Sequence, residues 1–128
     1  MGNRVEIPFK ITAWDQTAFD ETPGAPSLAR ATVKKTCSGL IEGKGTAELL
    51  MYVAEDGAAT YVALERITGK LSGKSGSFVV QHGATRDSAG NSRLYGLVEP
   101  GSATGELRGL RGQAEFQHEL MTFEYDFG

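Results

Sequence analysis

The chain has 128 residues, and its 13 Lys and Arg against 16 Asp and Glu leave a net charge of −3, which excludes the broad positive field that draws proteins to nucleic acid or anionic lipid. That length suits one domain, residues 1–128, with a core large enough to fold and no room for a second. Cys37 is the lone cysteine, so an intrachain disulfide and a thiolate zinc cage are both excluded, and no stretch approaches the roughly 20 apolar residues of a membrane span.

The opening segment MGNRVEIPFK lacks the apolar run of a secretory signal, which together with the cysteine usage points to a cytoplasmic protein. The first strand follows at once. Val5, Ile7, Phe9, Ile11 and Ala13 fall on one side and Arg4, Glu6, Lys10 and Thr12 on the other, the period of two of a half-buried strand. Residues 15–27, with Pro23, Pro26 and the acids Asp15, Asp20 and Glu21, read as a surface loop. Strand patterns then recur over 28–41, 46–54, 59–69, 76–84, 92–99, 112–118 and 120–127, divided by glycine-bearing turns such as EGKG, DG, SGKS and DSAGN. The segment TAELLMYVA, 46–54, contains good helix formers but is pinned between Gly45 and Asp56-Gly57, a span that suits a hairpin arm. Eight strands joined by tight turns, with few residues left for helices, predict an all-β fold: a closed antiparallel eight-stranded barrel.

Turn positions predict which residues face one another. A two-residue turn at Asp56-Gly57 sets Tyr52 opposite Tyr61 and Glu48 opposite Glu65. A turn centred on Gly73-Lys74 then sets Glu65 opposite His82 and Ile67 opposite Val80, and one at Gly43-Lys44 brings Gly39 beside Glu48. Glu48, Glu65 and His82 thus share a row in apolar company that includes Cys37, Tyr52, Tyr61 and Phe78. Two adjacent buried carboxyls repel when both are ionised, which raises their pKa values and retains one proton, so with an imidazole across the strand they form a candidate general acid/base site. The candidate catalytic residues are therefore Glu48, Glu65 and His82, with Tyr52, Tyr61, Cys37 and Phe78 lining a ligand site. The competing reading is an outward row of solvated charges, because a slip of one residue in register exchanges the two faces of a strand.

The opposite face of the same strands also carries apolar residues, Leu49, Met51, Val62, Leu64 and Val79, and contact with a second copy is the simplest cover, so a homodimer is expected. In PGSATGELRGLRGQAEF, 100–116, the glycines around Arg108 and Arg111 look like a phosphate loop, but no helix follows and the Lys-Ser/Thr pair of such loops is absent. A structural turn with Leu107 and Leu110 packed inward fits better. No metal is expected, since His82, His118 and Glu48 or Glu65 could meet only if remote strands converged. Basic residues interleaved with aromatics, as a single-strand nucleic-acid reader needs, are missing.

The segments ITAWD, RATVKKTCSGLIEGKGTAELLMY (30–52), ALERITGKLSGKSGSFVVQHG (63–83) and GSATGELRGLRG (101–112) together resemble a bacterial family of unknown function, DUF3224, over nearly the whole chain. The resemblance implies an allene-oxide-cyclase-like, calycin-like barrel, and the TGELRGLRG turn is similar to that of plant dirigent barrels. It implies a pocket that takes a small apolar or amphipathic ligand and works without a cofactor, with Cys37 standing where the family implies a bulkier apolar residue and so a larger cavity. Two functions stay open at this point: a ligand-binding barrel, with or without isomerase or cyclase chemistry, and a non-catalytic barrel acting through its oligomer interface.

Overall fold

A computed structural model describes residues 2–117 and 119–128. It contains eight strands: β1 (Asn3–Asp20), β2 (Leu28–Cys37), β3 (Ile41–Val53), β4 (Ala59–Leu71), β5 (Lys74–Arg86), β6 (Ser92–Val98), β7 (Arg111–Gln117) and β8 (Leu120–Asp126). Each pairs antiparallel with its neighbour in the chain, and β8 returns to pair with residues 3–8 of β1, so one sheet runs round in a ring. Among the described residues the only helical element is a 3-10 turn, Gly105–Leu107, and no helix is long and apolar enough to cross a membrane.

The alternation that marks the strands in the sequence also sorts their side chains. Ala29, Ala31, Val33, Lys35 and Cys37 of β2 are all buried, as are Ala63, Glu65, Ile67 and Leu71 of β4 and Phe78, Val80 and His82 of β5. These inward faces build two apolar layers. The larger holds Ile7, Ile67, Phe78, Val80 and Phe123, with Leu107 and Leu110 of the glycine-rich stretch packed beneath them. The smaller holds Ala31, Val33, Ala47, Leu49 and Ala63, with Met51 and Tyr61 against it. Lys35 and Glu65 fall between the two layers on their strands, one step above Cys37 and Ile67 and one below Val33 and Ala63.

The glycine-rich stretch is architectural. Thr104 donates its backbone N–H to the carbonyl of Ser77 while the Thr104 hydroxyl accepts the Ser77 N–H, so residues 99–107 line the edge of lower β5 where β6 does not reach. The close approach excludes a side chain at Gly76, whose Cβ would run into the Thr104 carbonyl.

Three expectations are corrected here. The connection between β3 and β4 spans residues 54–58, not a two-residue turn, and pairs Val53 with Ala59. This odd shift moves Glu48 from opposite Glu65 to opposite Leu64, and with it every even-numbered residue of β3 to the outside. The EGKG segment lies within β3, the chain turning instead at 38–40, where Gly39 takes a positive φ of 82°. Residues 15–20 belong to β1, which runs on as the exposed partner of β2; two bulges, between Ile11 and Ala13 and between Ala18 and Asp20, accommodate it. The first bulge carries Trp14 onto the same side as Val33, its partner in β2, in place of Ala13.

Phe123 is fully buried, with ring centroids 5.9 Å from Phe78 and 5.1 Å from Tyr125. Phe123→Ala is therefore expected to lower unfolding free energy by about 3–5 kcal/mol in urea titrations, through the cavity it leaves. Val53→Ala, at the exposed end of β3, should change it by less than about 0.5 kcal/mol.

Candidate functional site

Four polar side chains meet inside the ring. Glu65 Oε1 accepts hydrogen bonds from Lys35 Nζ at 3.0 Å and His82 Nε2 at 2.8 Å, and the Tyr61 hydroxyl lies 3.0 Å from His82 Nδ1. The strands explain the meeting. Glu65 pairs with Val80 and Ala63 with His82, so Glu65 and His82 are diagonal neighbours on one face, and Tyr61 stands on that face of β4 too. Lys35 reaches Glu65 from across β3, over Gly45, its register partner. A Cβ at Gly45 would strike Glu65 Oε2, so the carboxylate keeps its present position only beside a glycine.

Burial sets the electrostatics. Lys35, Glu65 and His82 are 7%, 1% and 2% exposed, so each charge must be met within the protein. Burial pushes the Glu65 carboxyl up, but the His82 hydrogen bond and the Lys35 ammonium, acting together, hold it below its ordinary 4.5. An ionised Glu65 can only accept, so His82 carries its hydrogen on Nε2 and, in the neutral ring, Nδ1 accepts from the Tyr61 hydroxyl. Burial first, then the Glu65 charge, pushes the Tyr61 hydroxyl up to about 12, which keeps it a proton donor. Glu65 Oε2 has no hydrogen-bond partner among the described residues, an incomplete satisfaction that fold stability alone does not favour.

The cluster opens into an apolar cleft of about 330 Å³. Lys35, Tyr61 and His82 form its polar floor, Val33, Leu49 and Phe116 are among its walls, and the exposed Ile11 and Trp14 stand at its mouth. Two aromatic rings flank the lysine, with Nζ 4.5 Å from the Phe9 centroid and 4.4 Å from that of Phe116, while Phe116 also stacks on His82 at 4.1 Å.

Of the residues expected at the site, Glu65, His82 and Tyr61 come together. Glu48 does not: it lies on the outer face, held by the Thr32 hydroxyl at 2.5 Å and Arg30 at 3.2 Å, and these contacts, Thr32 foremost, keep its carboxyl low rather than raised. The expected carboxylate pair is therefore replaced by a carboxylate and a lysine. Tyr52 is also on the outside, opposite Thr60, by the same odd shift in β3. Cys37 and Phe78 are buried in the larger layer below the cluster and do not line the cleft; burial, then the Glu65 charge, pushes the Cys37 thiol up to about 11 and makes it a poor nucleophile. Lys35 is the member of the buried cluster that the sequence reading missed. The signal was the alternation Ala29, Ala31, Val33, Lys35, Cys37, which puts one of two adjacent lysines inside. His118 lies outside the described residues, and among those described no group of three or more His, Cys, Asp and Glu side chains could hold a metal.

With Lys35 in view, Glu65→Gln strands a buried ammonium and is expected to destabilise the fold by roughly 3–5 kcal/mol in chemical denaturation. The double substitution Lys35→Met/Glu65→Leu should recover most of that loss, as apolar replacements of buried ion pairs do. The folded carboxyl sits below its unfolded value near 4.5, so its contribution is complete above that pH and is lost as pH falls through the lower folded value. The double variant should accordingly show a flatter acid limb in a stability–pH curve than the natural protein.

A family model described as a protein of unknown function, DUF3224, matches residues 5–128. A crystal structure of a DUF3224 protein of unknown function from Shewanella oneidensis MR-1 is 31% identical and superposes with a TM-score of 0.87, covering 100% of this chain and 99% of that one. No curated protein matches. The family model spans nearly all of the sequence and the solved relative shares its whole fold, so the chain belongs to the DUF3224 family.

Proposed function

We propose that the cleft above Lys35, Tyr61 and His82 binds a small apolar or amphipathic molecule, and that Glu65 and His82 move a proton on it without a cofactor, as an isomerase or cyclase does. One observation carries this reading: a buried, hydrogen-bonded acid–base cluster presents Lys35, Tyr61 and His82 at the floor of a cleft whose other lining is apolar apart from the exposed Gln117 and Glu119. A volume of about 330 Å³ is at the small end of ligand pockets, which suits a compact molecule with one polar group turned to the floor. The allene-oxide-cyclase-like barrel that the sequence resemblance implies would suit a pocket-centred function; it lends no reaction, because fold analogy does not carry catalytic residues across. Cysteine usage favours a cytoplasmic setting.

The test uses protein purified from its own host, examined by native mass spectrometry for a retained molecule, and titration with an apolar fluorescent probe. Trp14, the single tryptophan, stands at the cleft mouth and reports occupancy. Met51→Arg sets a charge in the wall and should weaken probe binding about tenfold or more, some 1.4 kcal/mol. Unchanged affinity, with no Trp14 response in the natural protein, contradicts the reading.

A second reading concerns the outside. Leu50, Val62, Leu64, Tyr95 and Leu97 are all exposed on neighbouring outer positions of β3, β4 and β6, with Tyr95 lying over Gly83 of β5. Such a patch on four adjacent strands suits the self-complementary contact of a homodimer with a second copy of this chain. Sedimentation velocity should then find a dimer that Leu64→Asp converts to a folded monomer; a monomeric natural protein at high concentration overturns it.

A further inference from the structure

We propose that Lys35 captures carbonyl compounds: its Nζ condenses with an apolar aldehyde or ketone seated in the cleft to give an iminium. This rests on the ligand-binding reading of the cleft and adds to it a substrate class and a covalent step.

The hydrogen bonding of Nζ points there. An ammonium has three N–H donors, yet among the described residues the protein offers Nζ one acceptor, Glu65 Oε1. The faces of Phe9 and Phe116 lie within 4.5 Å of it, surfaces that favour a cation without accepting ordinary hydrogen bonds. An iminium on the same nitrogen keeps the positive charge and has a single N–H. Its needs are therefore one acceptor, a counter-charge and an apolar surround, which is the environment present. The groups the protein places around Nζ therefore meet the needs of an iminium.

Glu65 carries the proton movements. Its Oε1 touches Nζ and can take protons from it, while the His82–Tyr61 pair, whose hydrogen bonds point toward that oxygen, holds it in place. One ammonium proton passes to Glu65 Oε1, and the Nζ lone pair it leaves behind forms a bond to the carbonyl carbon while the carbon–oxygen π pair moves to oxygen. Of the three ammonium protons, two thus pass, with Glu65 Oε1 as the carrier, to that oxygen, which departs as water when the carbon–oxygen bond breaks. The third stays on nitrogen as the carbon–nitrogen double bond forms. Charge is conserved, and nothing is oxidised or reduced.

The experiment incubates the full chain with hexanal, reduces any iminium with sodium cyanoborohydride, and locates the hexyl group by intact mass and peptide mapping. Lys34, the exposed neighbour on the opposite face of β2, is the internal control. The expected result is one hexyl group on Lys35, appearing at least an order of magnitude faster than on Lys34. In Lys35→Arg that label is absent while Lys34 is labelled as in the natural protein. A Trp14 response with labelling confined to exposed lysines overturns the covalent step and leaves the binding reading standing. Neither a Trp14 response nor a Lys35 label overturns both.

Discussion

One carboxylate oxygen organises the interior. Glu65 Oε1 holds a lysine and a histidine that arrive from different strands, inside a ring whose other inward side chains are largely apolar. Removing two charges from water is expensive, and the attraction between them repays it only when geometry and hydrogen bonding are good. Here the ion pair has good geometry at Oε1, while Oε2 is turned against the bare backbone of Gly45 and has no partner among the described residues. A pair of apolar residues would fill this space at less risk to the fold. The cluster is therefore better understood by its position at the cleft floor than by any gain in stability.

The two apolar layers give that position its meaning. Below the cluster, large side chains fill the ring and Leu107 and Leu110 close it. Above it, the inward residues of β2, β3 and β4 are mainly small, Ala31, Ala47 and Ala63 among them, and the wall beyond Phe116 is built by the free upper part of β1. Small side chains and a partner strand that ends early leave room over Lys35 and His82. The bulge near Thr12 matters for the same reason: it rotates β1 so that Trp14 joins Ile11 at the mouth, making the β1 side of the opening aromatic and aliphatic.

Strand existence was legible in the sequence, because glycine and polar turns punctuate period-two patterns; TAELLMYVA, with its helix-forming residues, is strand in β3 as its pinned span implies. Register was not legible, since it depends on how many residues each connection absorbs. At the β4–β5 hairpin, Ser72 and Gly73 adopt the positive φ values of 50° and 84° that a two-residue turn requires, one position before the expected centre. That even shift kept Glu65 and His82 on one face. At the β3–β4 connection the shift was odd, and Glu48 and Tyr52 went outside. Lys35 was hidden for a different reason: charged residues are read as surface unless the alternation around them is followed through. The long extension of β1 escaped because its residues are exposed throughout, so prolines and acids nearby outweighed a weak strand pattern.

The most direct test of the shared-carboxylate arrangement is nitrogen NMR of the His82 ring in isotopically labelled protein, assigned with a His82→Asn variant. The account predicts a hydrogen on Nε2, shielded from solvent exchange by its bond to Glu65, and an Nδ1 hydrogen-bonded to the Tyr61 hydroxyl. A ring protonated on Nδ1 instead, or one whose protons exchange freely with water, would contradict it.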